Sequence, residues 1–285
     1  MTTTVEAGVL YVVATPIGNL DDISRRARDV LAAVDAIAAE DTRHSGRLLQ
    51  QLQIDTPTRA LHEHNERSLA PKLVERLQAG ESLALISDAG TPLISDPGFY
   101  LVKHAREQGI RVVPVPGASA MVAALSVSGL PSDRFVFEGF LPAKAGARQK
   151  RLAALAAETR TLIFYEAPHR VLDCLRDMAA TLGEQRHAVI ARELTKTFET
   201  VHDAGLAELA DWVQKDSNQQ KGEIVLLVAG APALDPSAID GEAQRILKLL
   251  MEELPLSQAS ALTARITGGK KKPLYQLGLT LSSGD

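Results

Sequence analysis

The chain contains few of the residues that stabilise small scaffolds or bind structural metals. Among its 285 residues there is one cysteine, Cys174, and aromatic residues make up only 4%. A single cysteine excludes a disulfide framework and a CxxC metal site, and Cys174 is expected to be a small core residue. Because 45% of the residues are hydrophobic and few are aromatic, we expect an aliphatic core, which suits parallel strands covered by helices.

Long hydrophobic runs are also missing. No stretch approaches the ~18 apolar residues that a membrane helix needs. The apolar run near the N-terminus ends at Thr15-Pro16 and has no basic segment before it. We therefore expect no signal peptide, no membrane contact and a cytoplasmic location.

Positive charge is not in excess, because the formal net charge is −4. The chain as a whole therefore does not attract nucleic acid. Residues 141–151 and residues 264–275 are exceptions, since each run contains four basic residues and no acidic one. Such a run is more often a solvated face than a phosphate site, so neither establishes RNA binding by itself.

The first half of the chain alternates short apolar runs with amphipathic stretches. The apolar runs predict strands at residues 8–14, 35–40, 58–62, 82–87 and 110–115. The stretches between them predict helices at residues 23–34, 45–53, 68–78 and 98–108. Strands that alternate with helices in this way predict βαβ crossovers and a parallel sheet.

The second half follows a looser pattern. Its apolar runs predict strands at residues 134–140, 161–166, 187–193, 197–203 and 222–229, with helices after the second and the fourth. The third and fourth strands are too close in sequence for a crossover, so that pair should be antiparallel and the sheet mixed.

Composition divides the chain into three predicted domains. Gly and Pro cluster near residues 128–132, and residues 229–240 form a linker rich in Pro and Ala, after which only helical patterns occur. We predict an N-terminal α/β domain, a second α/β domain and a helical segment with a basic tail, at residues 1–128, 129–230 and 231–285.

The loops that follow the first five predicted strands have unusual compositions. They read TPIGNLDD, EDTRHS, EHNER, DAGTPLISDPG and PGAS, whereas the helix-to-strand connections are plain. Ligands bind at the carboxyl ends of strands in open parallel sheets, so these loops predict a binding site on one rim. Residues 88–98 contain no bulky side chain near their start, which lets a ligand approach the backbone.

The ligand is not identified by the common short motifs. Neither GxGxxG nor GxxxxGK[ST] occurs, which argues against a dinucleotide site and a P-loop. The His62-Glu63-His64 alternation has no further His or Cys ligand beside it, so hydrogen bonding is its commoner role and we predict no metal.

Several motifs occur in an order that resembles a known family. LYVVATPIGNLDDIS, AEDTR, HNE, SDAGTPLISDPG, VPGASA, FYEAPHR, RELTK and KGEIVLLV extend from Leu10 to about Val228, and KKKPLYQLGL follows near the end. In this order they resemble the bacterial small-subunit ribosomal RNA methyltransferases of the tetrapyrrole-methylase-like superfamily.

The resemblance implies a fold, a reaction and a partner. It implies two α/β domains with S-adenosylmethionine in the cleft between them, and a homodimer. It also implies methylation of the ribose 2′-hydroxyl of a cytidine in the decoding region of small-subunit (16S) ribosomal RNA, either as free RNA or in the small ribosomal subunit.

The resemblance also places the cofactor on particular residues. The implied contacts are Pro16, Ala89, Gly90, Thr91, Ile94, Ser119, Ala120 and Glu166. The contacts at Ala89 and Gly90 are consistent with the composition of the loop, because neither residue has a side chain that would block the cofactor.

The group that activates the hydroxyl is left open among several residues. The catalytic candidates are Asp88, Glu166 and His169, with Lys196 as a further one. Each also has a structural explanation: Asp88 can cap a turn, Glu166 can pair with Arg170 or Arg192, His169 can cap the next helix, and Lys196 can bind phosphate. The predicted RNA contacts are Arg170, Lys196, Lys270, Lys271 and Lys272.

Two other functions fit parts of the sequence. A methylase of a corrin or porphyrin precursor would share the cofactor loops, although the basic residues after Ala264 favour RNA. The second alternative is a non-catalytic module that senses a nucleotide. The unusual loops in both α/β domains favour a catalytic cleft over such a module.

Overall fold

The computed structural model describes residues 4–232 and 241–282. These residues belong to two compact units, one ending at Ala231 and the other beginning at Pro232. The described strands are β1 (Val9–Val13), β2 (Ala36–Ala39), β3 (Thr58–Ala60), β4 (Leu83–Ile86), β5 (Arg111–Val115), β6 (Phe135–Phe140), β7 (Thr161–Glu166), β8 (His187–Arg192), β9 (Thr200–Gly205) and β10 (Ile224–Val228). The described helices are α1 (Arg25–Ala33), α2 (Thr42–Gln51), α3 (Glu66–Gln78), α4 (Phe99–Glu107), α5 (Ala120–Val127), α6 (Ala145–Leu155), α7 (Val171–Leu182), α8 (Leu206–Lys215), α9 (Gly241–Glu253), α10 (Leu256–Thr267) and α11 (Lys271–Ser282).

The first sheet has the predicted parallel arrangement. Its order is β3-β2-β4-β1-β5, and every neighbouring pair is parallel. All residues of β2 and β4 are buried, which explains why these strands are uninterrupted apolar runs. Because the strands are parallel, their carboxyl ends and the loops that follow them lie along one edge.

The second sheet is mixed, as predicted. Its order is β6-β7-β10-β8-β9; β6 and β7 are parallel, and the other neighbouring pairs are antiparallel. Two reversals of direction separate β7 from β8, so β6, β7 and β8 all run the same way. The carboxyl ends of these three strands therefore lie at one edge of the sheet, together with the start of β10.

The two faces of the second sheet pack differently. One face is covered by α6, α7 and α8, and the buried Cys174 lies in this core, which confirms it as a small core residue. The opposite face packs against Ile17 and α5 of the first half. The loops of the first sheet and the second sheet are thereby brought together within one compact unit.

Helix α5 was not predicted, because residues 120–127 are almost all apolar and so show no helical periodicity. Two further helices differ from the prediction. Helix α6 was not predicted, because its sequence has few apolar residues at helical spacing and includes Gly146. Helix α2 begins three residues before the predicted start, because the Asp41 side chain accepts the Arg43 N–H at 2.8 Å and caps the helix.

The described part of the second unit consists of helices, as the helical patterns after residue 240 predict. Helices α9, α10 and α11 pack around Ala243, Leu247, Ala259 and Leu274. Helix α10 is followed by Gly268, whose φ of 73° is the left-handed conformation common just after helix ends. Residues 233–240 of the predicted linker lie outside the described residues. In the described part of the chain no helix has the length and apolar character that a membrane span requires.

Candidate active site

A cavity of about 410 Å³ lies between the loops of the first sheet and the inner face of the second. Its size is in the range of sites for small organic molecules. Its lining comprises Ile17, Glu40, residues 88–91 and 94–96, Ser119, Ala120, Phe140, residues 165–168, Ala191, Leu194 and residues 222–225.

The loop at residues 88–98 forms much of one wall and has a strained backbone. Gly90 and Gly98 have φ angles of 81° and 127°, and the non-glycine residues Leu93 and Ser95 have φ angles of 72° and 68°. Left-handed conformations at non-glycine residues cost free energy and persist only where surrounding contacts enforce them. Such strain is typical of binding sites, so this loop is a candidate for ligand contact.

Hydrogen bonds from neighbouring segments fix the start of this loop. Gly90 and Thr15 exchange two backbone hydrogen bonds of 2.8 and 3.1 Å. The Thr91 hydroxyl donates to the Ala118 carbonyl at 2.9 Å. Three strand-end loops are therefore tied together around the cavity.

Glu66 fixes the end of the same loop. One oxygen of this buried carboxylate accepts the backbone N–H groups of Gly98, Tyr100 and Leu101 at 3.0, 2.7 and 3.1 Å. A carboxylate at a helix N-terminus satisfies donors that the helix itself leaves free. Glu66 thus binds the first turn of α4, and the strained loop is held at both ends.

Three carboxylates on the first-half wall, those of Glu40, Asp88 and Asp96, have no cationic partner among the described residues. Burial, with the charges of Asp96 and Asp88 nearby, raises the pKa of Glu40 to about 7. Burial also raises the pKa of Asp96 to about 6, and the charge of Asp88 adds to this effect. Asp88 itself accepts the Asp41 N–H at 3.1 Å through one oxygen.

All charged residues of the lining are acidic. The lining contains five carboxylates, those of Glu40, Asp88, Asp96, Glu166 and Glu223, and no Lys, Arg or His among the residues that the structure describes. A cation bound beside Glu40 and Asp96 would favour their ionised forms and lower their raised pKa values again.

Glu166 differs from these acids because it is neutralised within the protein. Its fully buried carboxylate lies 3.2 Å from the Arg170 guanidinium and accepts the Ala167 N–H at 2.8 Å. Arg170 also donates to the Leu141 carbonyl at 2.6 Å. Of the two partners proposed for Glu166, the structure therefore has Arg170; Arg192 instead bonds to Gln219 and to the Phe198 carbonyl.

Lys196 is likewise engaged within the protein. Its ammonium group donates to Glu193 and Glu223 at 2.9 and 3.1 Å. Its aliphatic chain covers Gly18, where any Cβ would collide with it. The glycine therefore allows a lysine of the second half to lie over a loop of the first.

Most of the predicted site residues meet at this cavity. Those that line it are Asp88, Ala89, Gly90, Thr91, Ile94, Ser119, Ala120 and Glu166. Pro16 precedes the lining residue Ile17, while His169 and Arg170 lie in the turn after Glu166, outside the lining. Lys270 precedes α11, and Lys271 and Lys272 form its first turn in the second unit. The roles assigned to these residues stay predictions.

Some lining residues were not predicted. Glu40 and Asp96 lie within AEDTR and SDAGTPLISDPG, so the motifs pointed to them although neither was chosen. Phe140 and Tyr165 lie in strands and carried no signal beyond β propensity. The Tyr165 hydroxyl accepts the Met121 N–H at 3.2 Å and so joins the second sheet to α5.

A metal centre is not evident in this region. Among residues 4–232 and 241–282, no three His, Cys, Asp or Glu side chains are grouped so that they could hold a metal ion. His62 and His64 make an edge-to-face ring contact at 6.0 Å.

Comparison with family models gives two matches. Residues 9–210 match the model described as tetrapyrrole (corrin/porphyrin) methylases. Residues 237–282 match the model described as the RsmI C-terminal HTH domain.

Curated relatives match over almost their whole length. A Pseudomonas aeruginosa protein named ribosomal RNA small subunit methyltransferase I is 63% identical over 96% of this chain and 97% of its own. Proteins of the same name from Haemophilus influenzae and Escherichia coli O157:H7 are each 57% identical, over 95% of this chain and 96% and 95% of theirs.

Solved structures share the fold at low sequence identity. Cobalt precorrin-4 methyltransferase aligns with a TM-score of 0.56 at 12% identity, over 78% of this chain and 95% of the other. Diphthine synthase aligns with a TM-score of 0.58 at 14% identity, over 78% of this chain and 90% of the other. At such identities the similarity concerns the fold alone.

Proposed function

The chain belongs to the ribosomal RNA small subunit methyltransferase I family, within the tetrapyrrole methylases, and from this premise we propose its reaction. It transfers a methyl group from S-adenosylmethionine to the ribose 2′-hydroxyl of a cytidine in the decoding region of small-subunit ribosomal RNA. The acidic cavity supports this proposal most directly.

The cavity suits S-adenosylmethionine in charge and in size. The cofactor carries a positively charged sulfur and an ammonium group, which suit the carboxylates of Glu40, Asp88 and Asp96, for which the described residues provide no cationic partner. The small residues 89–91, Ser119 and Ala120 would hold it against the backbone, while Glu40 and Asp96 would face its positive charge.

The bound cofactor supplies an electrophilic methyl carbon. The protein's own task is to align the ribose hydroxyl with that carbon and to exclude water, since direct displacement needs no covalent enzyme intermediate. Asp88 is our candidate proton acceptor, because one of its oxygens accepts the Asp41 N–H and the described residues offer no donor to the other. Glu166 is already neutralised by Arg170 and would position the wall instead.

RNA phosphates require a different surface from the acidic cavity. Lys270, Lys271 and Lys272 lie at the N-terminus of α11, where the helix dipole disfavours cations. Such an arrangement needs another reason, and phosphate binding provides one. The match of this unit to a helix-turn-helix model supports contact with nucleic acid. Arg170 and Lys196 are ion-paired within the protein, so we assign them to support of the site.

Methylation of a tetrapyrrole precursor is the second candidate. The shared fold with cobalt precorrin-4 methyltransferase favours it, at 12% identity. Relatives named for ribosomal RNA are 57% to 63% identical and the second unit matches a helix-turn-helix model, so the ribosomal substrate is the better fit.

The decisive experiment offers labelled S-adenosylmethionine with four acceptors. These are small ribosomal subunits from cells that lack this gene, protein-free ribosomal RNA, and two tetrapyrrole precursors, one corrin and one porphyrin. We expect label in a cytidine whose 3′ linkage resists alkaline hydrolysis, as a blocked 2′-hydroxyl requires. Label in a base, or only in a macrocycle, would contradict the proposal.

The oligomeric state and location follow from the same proposal. We infer a homodimer that acts in the cytoplasm. Light scattering coupled to size exclusion measures the mass in solution, and a monomer at micromolar concentration would contradict the dimer.

A further inference from the structure

Phe140 is an aromatic residue that the proposed reaction has not yet used. It is the last residue of β6, it lines the cavity, and 55% of its surface is exposed. An exposed aromatic ring forgoes the free energy that burial would provide. At the mouth of a substrate cavity, such a ring is available to a ligand.

An irregularity in β6 places Phe140 on the cavity side. Phe137 is paired with Ile163 and Phe140 with Tyr165, so one extra residue, Glu138, is inserted between them. In a regular strand, residues three apart point to opposite faces. The bulge instead puts Phe137 and Phe140 on the same face, the one that lines the cavity. Without it, Phe140 would point towards α6 and α7.

The surrounding contacts hold this arrangement. Gly139 has a φ of 64°, and any Cβ there would lie 3.0 Å from the Ser95 hydroxyl of the strained loop. The next residue, Leu141, is buried, and its carbonyl accepts a hydrogen bond from Arg170. The Tyr165 ring packs edge-to-face on Phe140 with centroids 5.7 Å apart. The Phe140 ring therefore packs against Tyr165 on one side, while much of the rest of its surface is exposed.

We propose that Phe140 is the stacking platform for the base of the nucleotide that is methylated. This inference rests on the proposed function. A ribose can reach the cavity only if its nucleotide leaves the surrounding RNA structure, and an unstacked base is commonly received by an aromatic side chain. The Glu166–Arg170 pair then acts as a positioning element, because Arg170 anchors the residue that follows the platform.

The test uses three variants at Phe140 and one matched control. Phe140→Ala removes the ring, Phe140→Leu keeps apolar volume without it, and Phe140→Trp restores an aromatic face. Phe135→Ala is the control, since Phe135 is a partly exposed phenylalanine at the other end of the same strand and does not line the cavity. Each protein is assayed for methyl transfer to unmethylated small subunits and for cofactor affinity by calorimetry.

Stacking predicts a specific pattern. Phe140→Ala and Phe140→Leu should lower kcat/KM for subunits by about 5- to 150-fold, the range found for loss of one base–aromatic stack. Phe140→Trp should stay within a few-fold of wild type. Cofactor affinity should be unchanged in all variants, and Phe135→Ala should match wild type in both measurements.

A substrate without the target base isolates the contact. Small subunits assembled with ribosomal RNA that is abasic at the target keep the 2′-hydroxyl but have nothing to stack. Wild type and Phe140→Ala should methylate them at equal rates, so the two changes are not additive.

Three results would overturn the assignment while leaving the reaction intact: full activity of Phe140→Ala, rescue by Leu as good as by Trp, or weaker cofactor binding with unchanged subunit kinetics. Failure of the proposed function is recognised separately, because wild type itself would then transfer no methyl group to the subunits.

Discussion

The two walls of the cavity contain similar acidic residues but treat them differently. On the first-half wall, Glu40, Asp88 and Asp96 lie near one another with no cationic partner in the described part of the chain, and the pKa values of Glu40 and Asp96 are raised to about 7 and about 6. On the second-half wall, Glu166 is paired with Arg170 and Glu223 with Lys196. The comparison indicates that the unpaired carboxylates of the first wall are available to a cationic ligand, whereas the ion pairs of the second wall stabilise the structure of that wall.

Changing Asp88 gives the largest expected effect on activity. A general base contributes ~100- to 10,000-fold to a rate, so Asp88→Asn should slow single-turnover methyl transfer at saturating cofactor by that range. The melting temperature should change little, because the amide oxygen can still accept the Asp41 N–H. A wild-type rate in this variant would show that Asp88 is not the proton acceptor. Alignment of the ribose hydroxyl with the methyl group would then be the source of catalysis.

Changing Glu166 should mainly affect stability. Glu166→Gln leaves Arg170 with no counter-charge, and loss of one partner of a buried pair costs about 3 to 5 kcal/mol. We expect the lower end of that range, because the Arg170 side chain is 19% exposed. Denaturant unfolding measures the loss.

A double variant supplies the control for the second wall. Replacing both partners in Glu166→Leu/Arg170→Met removes the uncompensated charge and should recover much of the stability. If Glu166→Gln were as stable as wild type but inactive, Glu166 would belong with the functional carboxylates and the contrast between the walls would fail.

The raised pKa of Glu40 predicts how stability depends on pH. Its folded pKa of about 7 lies above the ordinary value of 4.5, so the folded state holds a proton that the unfolded state releases first. The contribution of this group to stability is full below pH 4.5 and is lost as the pH rises towards 7. Glu40→Gln should flatten this decline in the ligand-free protein. An unchanged slope would show that Glu40 titrates normally.

The same groups predict how cofactor affinity depends on pH. A cation favours the ionised carboxylates, so binding should tighten as Asp96 and Glu40 ionise near pH 6 and 7, and it should release protons in that interval. Calorimetry in buffers with different ionisation heats counts the protons. Glu223→Gln is the matched control on the second wall and should leave the proton count unchanged.

The sequence predicted those features of the fold that depend on local pattern. Apolar alternation indicated both sheets, and the strand-end loops indicated the rim where the cavity lies. The parallel and mixed characters followed from the lengths of the connections. Helix α6 was missed because its stability comes from a few buried residues, among them Leu152, and not from a strong periodic pattern.

The features that the sequence did not predict depend on single contacts between distant segments. The side of β6 on which Phe140 lies is set by one inserted residue, so alternation along FVFEGF does not reveal it. The choice of Arg170 over Arg192 as partner of Glu166 likewise depends on tertiary geometry. Ion pairs within the protein determine which charged side chains remain available to a ligand, and the sequence alone does not show which ion pairs form.

The smallest expected effect concerns the basic residues of the second unit. They extend the comparison between charged residues that are available to a ligand and charged residues that are ion-paired within the protein. Lys271→Ala/Lys272→Ala should weaken binding to small subunits and reduce the slope of log affinity against log salt by up to about 2, since each phosphate contact adds about 0.7 to 0.9 to that slope. Cofactor affinity should not change, because these lysines belong to the other compact unit and the acidic cavity lies within the first. Lys248→Ala is the matched control, as a lysine of the same unit outside the basic run. An equal change of slope in Lys248→Ala would show that the unit acts through its overall charge, whereas no change in either variant would mean that RNA is held by other residues.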